Sequence, residues 1–214
     1  AAYESWCTAS VNDPDPGFWG HWPRYYAEMP VKQDWVQAAA KRCQTAVVVI
    51  GRSAGEDREN TLKKGSFYLT NKEKALLDAV TTAFQKVVLV LNIGSIMDFA
   101  EIDAYGDKIS AVLLAWQLGM ESGNAVADVL TGQVNPSGRL TDTIAKTYAD
   151  YLAQNFGNKA ENRYTEDIFV GYRYFETFAP ERVVYPFGYG LSYTDFACKV
   201  KKTEIKDRTV TVQV

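Results

Sequence analysis

Three short, unbroken apolar runs set apart by amphipathic stretches constrain this chain more than any other feature. Residues 46–50 (AVVVI), 87–91 (VVLVL) and 111–115 (AVLLA) carry no polar residue, so each needs cover on both faces. Strands of a parallel sheet receive that cover from helices, because a parallel crossover lays a helix across the sheet. The intervening sequence supplies the helices. Val36, Ala39, Ala40 and Cys43 recur at helical spacing after Asp34, a candidate N-cap. Thr70-Asn-Lys-Glu73 has the form of a capping box, followed by Leu77, Val80 and Phe84 on one face. Residues 95–104 suggest a short helix, and Val126, Val129 and Leu130 mark another that Gly132 stops. Residues 140–144 and 168–175 read as further strands and residues 146–152 as a helix. The expected fold is α/β, with a mostly parallel sheet sandwiched between helices.

The flanks differ. Residues 1–31 have no period, and Pro14, Pro16, Pro23 and Pro30 interrupt a run rich in Trp, Tyr and Phe. That composition suits an irregular linker or strap laid over a larger body. Residues 32–196 then form the α/β domain. In residues 197–214, two alternating segments, 200–205 and 209–214, flank Lys206-Asp-Arg208 as a hairpin. Two strands are not an independent unit, so the expectation is the start of a truncated β module.

Charge and cysteine usage exclude several classes. With 23 Lys and Arg against 26 Asp and Glu, the net charge is −3, which argues against tracking a nucleic-acid backbone. The five-residue apolar runs fall far short of the ~20 residues that cross a bilayer. Residues 1–30 lack the charged and apolar regions of an export signal and so say nothing about export; the compartment stays open, with the cytoplasm favoured. The three cysteines, Cys7, Cys43 and Cys198, form no Cys/His cluster, and no metal is expected.

Several motifs bear on chemistry. Gly51-Arg-Ser-Ala-Gly55 is a G-x-S-x-G following a strand, the place of a hydrolase nucleophile elbow. That triad needs a histidine after the serine, and the one histidine, His21, precedes Ser53. A serine esterase is therefore disfavoured. The glycines match neither a dinucleotide nor a P-loop pattern. Glu56 and Asp57 lie just beyond the carboxyl end of the first strand, where open α/β sheets place ligand-contacting groups. Flanked by Arg52 and Arg58, Glu56 suits a general acid. A solvated charged loop is the plain alternative, and composition alone favours it. Gln33-Asp-Trp35 has the look of a glycosidase nucleophile, but no buried strand precedes Asp34, and a capping role accounts for it. Trp19, Trp22, Trp116, Tyr172 and Tyr174 suit either a core or sugar stacking.

Three longer stretches go beyond pattern. Residues 119–140 (GMESGNAVADVLTGQVNPSGRL), 164–174 (YTEDIFVGYRY) and 185–196 (YPFGYGLSYTDF) resemble, in order and spacing, the α/β sandwich domain of glycoside hydrolase family 3. The resemblance covers roughly residues 35–196. It implies a six-stranded sandwich and a retaining, exo-acting β-glucosidase that hydrolyses terminal β-D-glucosides. It also implies that residues 197–214 begin a fibronectin III-like module, and that no cofactor is needed. In that family the nucleophile aspartate sits on a separate (β/α)₈ barrel, which takes ~250 residues and cannot fit here. The sandwich domain often lends the acid/base glutamate, on a loop that Ala54-Gly-Glu-Asp-Arg58 resembles, although with Ala54 and Asp57 in place of serine and glycine. The resemblance thus implies Glu56 as acid/base and an isolated chain without turnover; Arg58 is expected to shape that loop or to touch the substrate. The alternative is a carbohydrate-binding or scaffolding domain in which Glu56 is incidental.

Overall fold

A computed structural model describes residues 28–52, 60–152 and 164–214. They fall into two compact units, one built from 28–119 with 146–152 and the other from 120–145 with 164–214.

The first unit is the parallel α/β body. Strands β1 (Thr45–Gly51), β2 (Lys86–Asn92) and β3 (Ala111–Leu114) lie in the order β1-β2-β3. Both pairings are parallel, with Val48 opposite Leu89 and Leu89 opposite Val112. The central strand is the core: Val87, Leu89, Val90 and Leu91 are all buried. Helices α1 (Gln33–Ala40) and α2 (Asn71–Ala83) bury Val36, Leu77 and Val80. Short α3 (Ala100–Asp103) buries Ile102.

The α/β reading holds, but the expected count of six strands is not seen among the described residues, where the parallel sheet has three. At the sheet's edge, Val47 and Val49 of β1 are 54% and 60% exposed, so an unbroken apolar run did not mean burial on both faces.

The second unit contains helix α4 (Ser122–Thr131), strands β4 (Ile144–Ala145) and β5 (Val183–Tyr185), helix α5 (Tyr172–Phe178), and strands β6 (Lys202–Lys206) and β7 (Thr209–Gln213). The fourth strand expected over 140–144 is only β4, paired antiparallel with β5 outside the parallel sheet. No strand forms over 168–175; its second half, from Tyr172, opens α5 instead. Gly171, at φ 59°, breaks the extended path, and Phe175 gains a buried site on the helix. As expected, α4 stops at Gly132, which takes φ 76° in the left-handed region where glycine bears no Cβ penalty. The hairpin forms, with β6 and β7 antiparallel and Thr203, Ile205, Val210 and Val212 on one face.

Three more local expectations give way. The residue capping α1 is Lys32, and Asp34 lies in the first turn, where a carboxylate favours the helix dipole without capping it. The helix expected over 95–104 shrinks to α3, because Met97 and Phe99 enter the core and the Asp98 amide bonds the Phe67 carbonyl at 2.8 Å. Residues 146–152 hold only the 3-10 turn Tyr148–Asp150, closed by Thr147 and Asp150. Of the proposed strap, only residues 28–31 are described, and the Thr70 hydroxyl donates to Glu28 Oε2 at 3.0 Å.

Truncation of the central strand tests where the core lies. Leu89→Ala should cost this chain about 2–5 kcal/mol in urea unfolding, whereas Val49→Ala on the open edge should stay within about 0.5 kcal/mol. Equal losses would contradict the burial pattern.

Candidate functional site

Parallel strands bring all three carboxyl ends to one edge of the sheet, the edge where ligands meet such folds. Arg52 follows β1, Asn92 closes β2 and Trp116 lies just past β3. The Arg52 amide donates to the Asn92 carbonyl at 3.0 Å, extending the pairing by one rung. Trp116 sits half-buried at φ 57°, a left-handed backbone rare for an aromatic residue. Strained conformations of this kind cluster at ligand-contacting positions.

The best-defined charge pair on this edge joins Arg52 to Glu73. The guanidinium grips the carboxylate with both terminal nitrogens, Nη2 reaching Oε2 at 2.6 Å and Nη1 pairing with Oε1. The two side chains are 11% and 8% exposed. Glu73 also completes the capping box of α2. Its Oε2 accepts from the Thr70 amide at 2.7 Å, and its own amide donates to Thr70 Oγ1 at 3.0 Å. Burial pushes the Glu73 pKa up, but the bonds from Arg52 and the Thr70 amide and the Arg52 charge outweigh it and hold the carboxyl below its usual value. Burial raises the Asp98 pKa on the same side of the unit, against the opposing bond from the Ala100 amide.

Glu56, Arg58, Asp57 and Ser53 lie outside the described residues; Arg52, expected beside Glu56, is committed to Glu73. The capping box was readable from Thr70 and Glu73. The ion pair was not, because nothing in a single sequence links positions 21 residues apart.

In the second unit, two of the motifs that carried the resemblance clasp each other. The Leu140 amide donates to the Tyr189 carbonyl at 2.8 Å, and the Gly188 amide returns to the Leu140 carbonyl at 2.8 Å. Asn135 Nδ2 donates to Ser192 Oγ at 2.8 Å, and Asn135 Oδ1 accepts the Tyr193 amide at 2.8 Å. The Tyr193 hydroxyl donates to the Val129 carbonyl of α4 at 2.8 Å. Gly190 is required by contact alone: a Cβ there would come within 2.8 Å of the Gly138 carbonyl oxygen. Tyr172 stacks on Phe187, with centroids 4.5 Å apart, and Tyr174 packs edge-on against Phe175. These motifs build structure. Among the described residues no group of three or more His, Cys, Asp or Glu converges on one point.

Sheet and helices together define an α/β domain built on a parallel sheet. Residues 24–193 match the glycosyl hydrolase family 3 C-terminal domain, and the chain belongs to that family. It is 45% identical over 210 residues to a β-glucosidase of Ruminococcus albus, covering 98% of this chain and 22% of that protein. An exo-α-(1→6)-L-arabinopyranosidase of Bifidobacterium longum is 34% identical over 190 residues, covering 86% of this chain and 24% of the relative. The crystal structure of a β-glucosidase from Paenibacillus barengoltzii superposes with a TM-score of 0.84 at 44% identity, over 96% of this chain and 22% of that one. β-Glucosidase 3B of Thermotoga neapolitana, solved with glucose, superposes at 0.77 with 34% identity, over 97% of this chain and 29% of its own. The chain thus spans about a fifth to a quarter of the length of the curated relatives it matches.

Two measurements on this chain probe these contacts. Because the Glu73 pKa is lowered on folding, its contribution is fully present above the ordinary glutamate value of about 4.3 and is lost as pH falls through the folded value. The Tm advantage of the wild type over Glu73→Gln should therefore shrink as pH drops below about 4.3; a constant gap would contradict it. Separately, Gly190→Ala should destabilise by about 1–3 kcal/mol, whereas Gly123→Ala, whose Cβ meets nothing within 4 Å, should be neutral or stabilising.

Proposed function

We propose that this chain is the sandwich domain of a retaining β-glucosidase that removes terminal β-D-glucosyl residues, with Glu56 as its acid/base. The observation that carries the reading is the 45% identity to a β-glucosidase across 98% of the chain. The fold supports it, since Glu56 follows β1 by five residues, off the edge where α/β sheets meet ligands. The nucleophile belongs to a (β/α)₈ barrel elsewhere in the parent polypeptide. Retention needs two carboxyl groups ~5–5.5 Å apart: the nucleophile attacks the anomeric carbon while Glu56 protonates the departing oxygen, then takes a proton from the incoming water. One carboxyl per domain leaves the isolated chain without turnover. Arg58 contacts the substrate, an uncharged β-linked glucoside or oligosaccharide.

The flanks fit the same reading. Residues 1–31 are a strap, 32–196 the sandwich, and 197–214 the start of a fibronectin III-like module, in which Ile205, Val210 and Val212 of β6 and β7 form an exposed apolar face. Among the described residues no helix is long and apolar enough to cross a membrane. We place the protein in the cytoplasm, where the exposed thiols of Cys43 and Cys198 stay reduced.

The acid/base role is tested in the parent polypeptide. Glu56→Gln should cut turnover of an aryl β-glucoside with a poor leaving group by about 10²–10⁴-fold, far more than that of one with a good leaving group. Azide should partly restore the mutant with the good leaving group. Small, equal losses would leave a non-catalytic domain, and loss of glycoside turnover in Ser53→Ala would reopen the serine reading. An α-L-arabinopyranoside in the same panel tests the sugar preference suggested by the arabinopyranosidase relative.

A further inference from the structure

The second unit carries a cavity of about 630 Å³ that the proposed chemistry leaves unused, lined in part by Phe169, Tyr172, Arg173, Glu176 and Phe187. Small-molecule sites of this size combine apolar walls with a few convergent polar groups. The apolar wall is aromatic. Tyr172 and Phe187 stack with centroids 4.5 Å apart and rings 25° from parallel, and Phe169 adds a third ring, edge-on to Phe178 at 4.8 Å. Tyr172 and Phe187 remain 43% and 47% exposed, so their stacking does not take them out of water.

Two charges stand beside that wall. Arg173 and Glu176 are three residues apart on α5, a spacing at which opposite charges commonly pair. Here they form no ion pair. Among the described residues, neither side-chain charge nor the Tyr172 hydroxyl has a hydrogen-bond partner. The cavity therefore offers guanidinium donors, carboxylate acceptors and exposed ring surface together, with no net charge. An apolar partner docked on this face would strand both charges away from water, at a cost. A pyranose ring would not: its C–H face suits an aromatic wall, its hydroxyls both donate and accept, and it is uncharged.

We propose that this cavity is a carbohydrate-binding site. One pyranose of a neutral oligosaccharide lies on Tyr172 and Phe187, with Arg173 and Glu176 bonding its hydroxyls. The site goes beyond the acid/base reading, on which only the choice of a β-linked glucoside as probe rests.

The test uses the parent polypeptide with its catalytic pocket saturated by a glucose-shaped iminosugar, so that only other sites remain open. Calorimetric titration with thio-linked cellotetraose, which resists hydrolysis, should then reveal one further site. Tyr172→Ala should weaken that binding about 2–10-fold, the worth of one aromatic contact. Arg173→Ala and Glu176→Gln should each weaken it roughly 10-fold, the worth of one hydrogen bond to a charged group. Both lie on an exposed helix face and keep the test decisive should Tyr172→Ala not fold. Absence of binding beyond the iminosugar site, as when another part of the polypeptide covers this face, overturns the inference. So does binding that these variants leave unchanged. A preparation that binds cellotetraose here yet hydrolyses no β-glucoside supports this site and counts against the proposed function instead.

Discussion

The carboxyl edge of the parallel sheet depends on one buried carboxylate. Glu73 accepts both terminal nitrogens of Arg52 and the Thr70 amide, so one side chain closes the first turn of α2 and fixes the exit of β1. Helix capping and strand position are usually separate matters. Here they share two oxygen atoms, and removing either partner leaves a buried charge uncompensated, the costly case for an ion pair. The buried central strand supplies the rigid base from which that edge projects.

The residues most diagnostic in the sequence and those proposed to do chemistry belong to different units. The stretches around Asn135 and Ser192 are recognisable because they bond each other through backbone and amide groups, with Gly190 pressed against the Gly138 carbonyl. Their residue types answer to packing. Glu56 follows β1 in the sequence, where a short charged stretch carries little pattern of its own. Recognition of the family and assignment of its acid therefore rest on separate observations.

Legibility followed locality. The β1-β2-β3 body was readable from unbroken apolar runs, α2 from its capping box and the end of α4 from Gly132, because each signal spans a few adjacent residues. Failures came where tertiary contacts decide. The aromatic run around Tyr172 and Tyr174 suits a strand as well as a helix, and burial of Phe175 selected the helix. Unbroken apolar residues in β1 did not reveal that it lies on an edge. The partnership of Arg52 and Glu73 had no local signal, and Asp34 resembled a cap although the chain enters α1 at Lys32.

The central claim is that the sugar is held at the carboxyl edge of this sheet, with its acid delivered from the loop after β1. A structure of the parent polypeptide with a bound, non-hydrolysed glucoside analogue tests it most directly. The account predicts a Glu56 oxygen within hydrogen-bonding distance of the glycosidic oxygen, the Arg52–Glu73 fork intact, and a second carboxyl ~5–5.5 Å away on the barrel. A glucoside bound elsewhere, or protonated by another residue while Glu56 faces solvent, would contradict it.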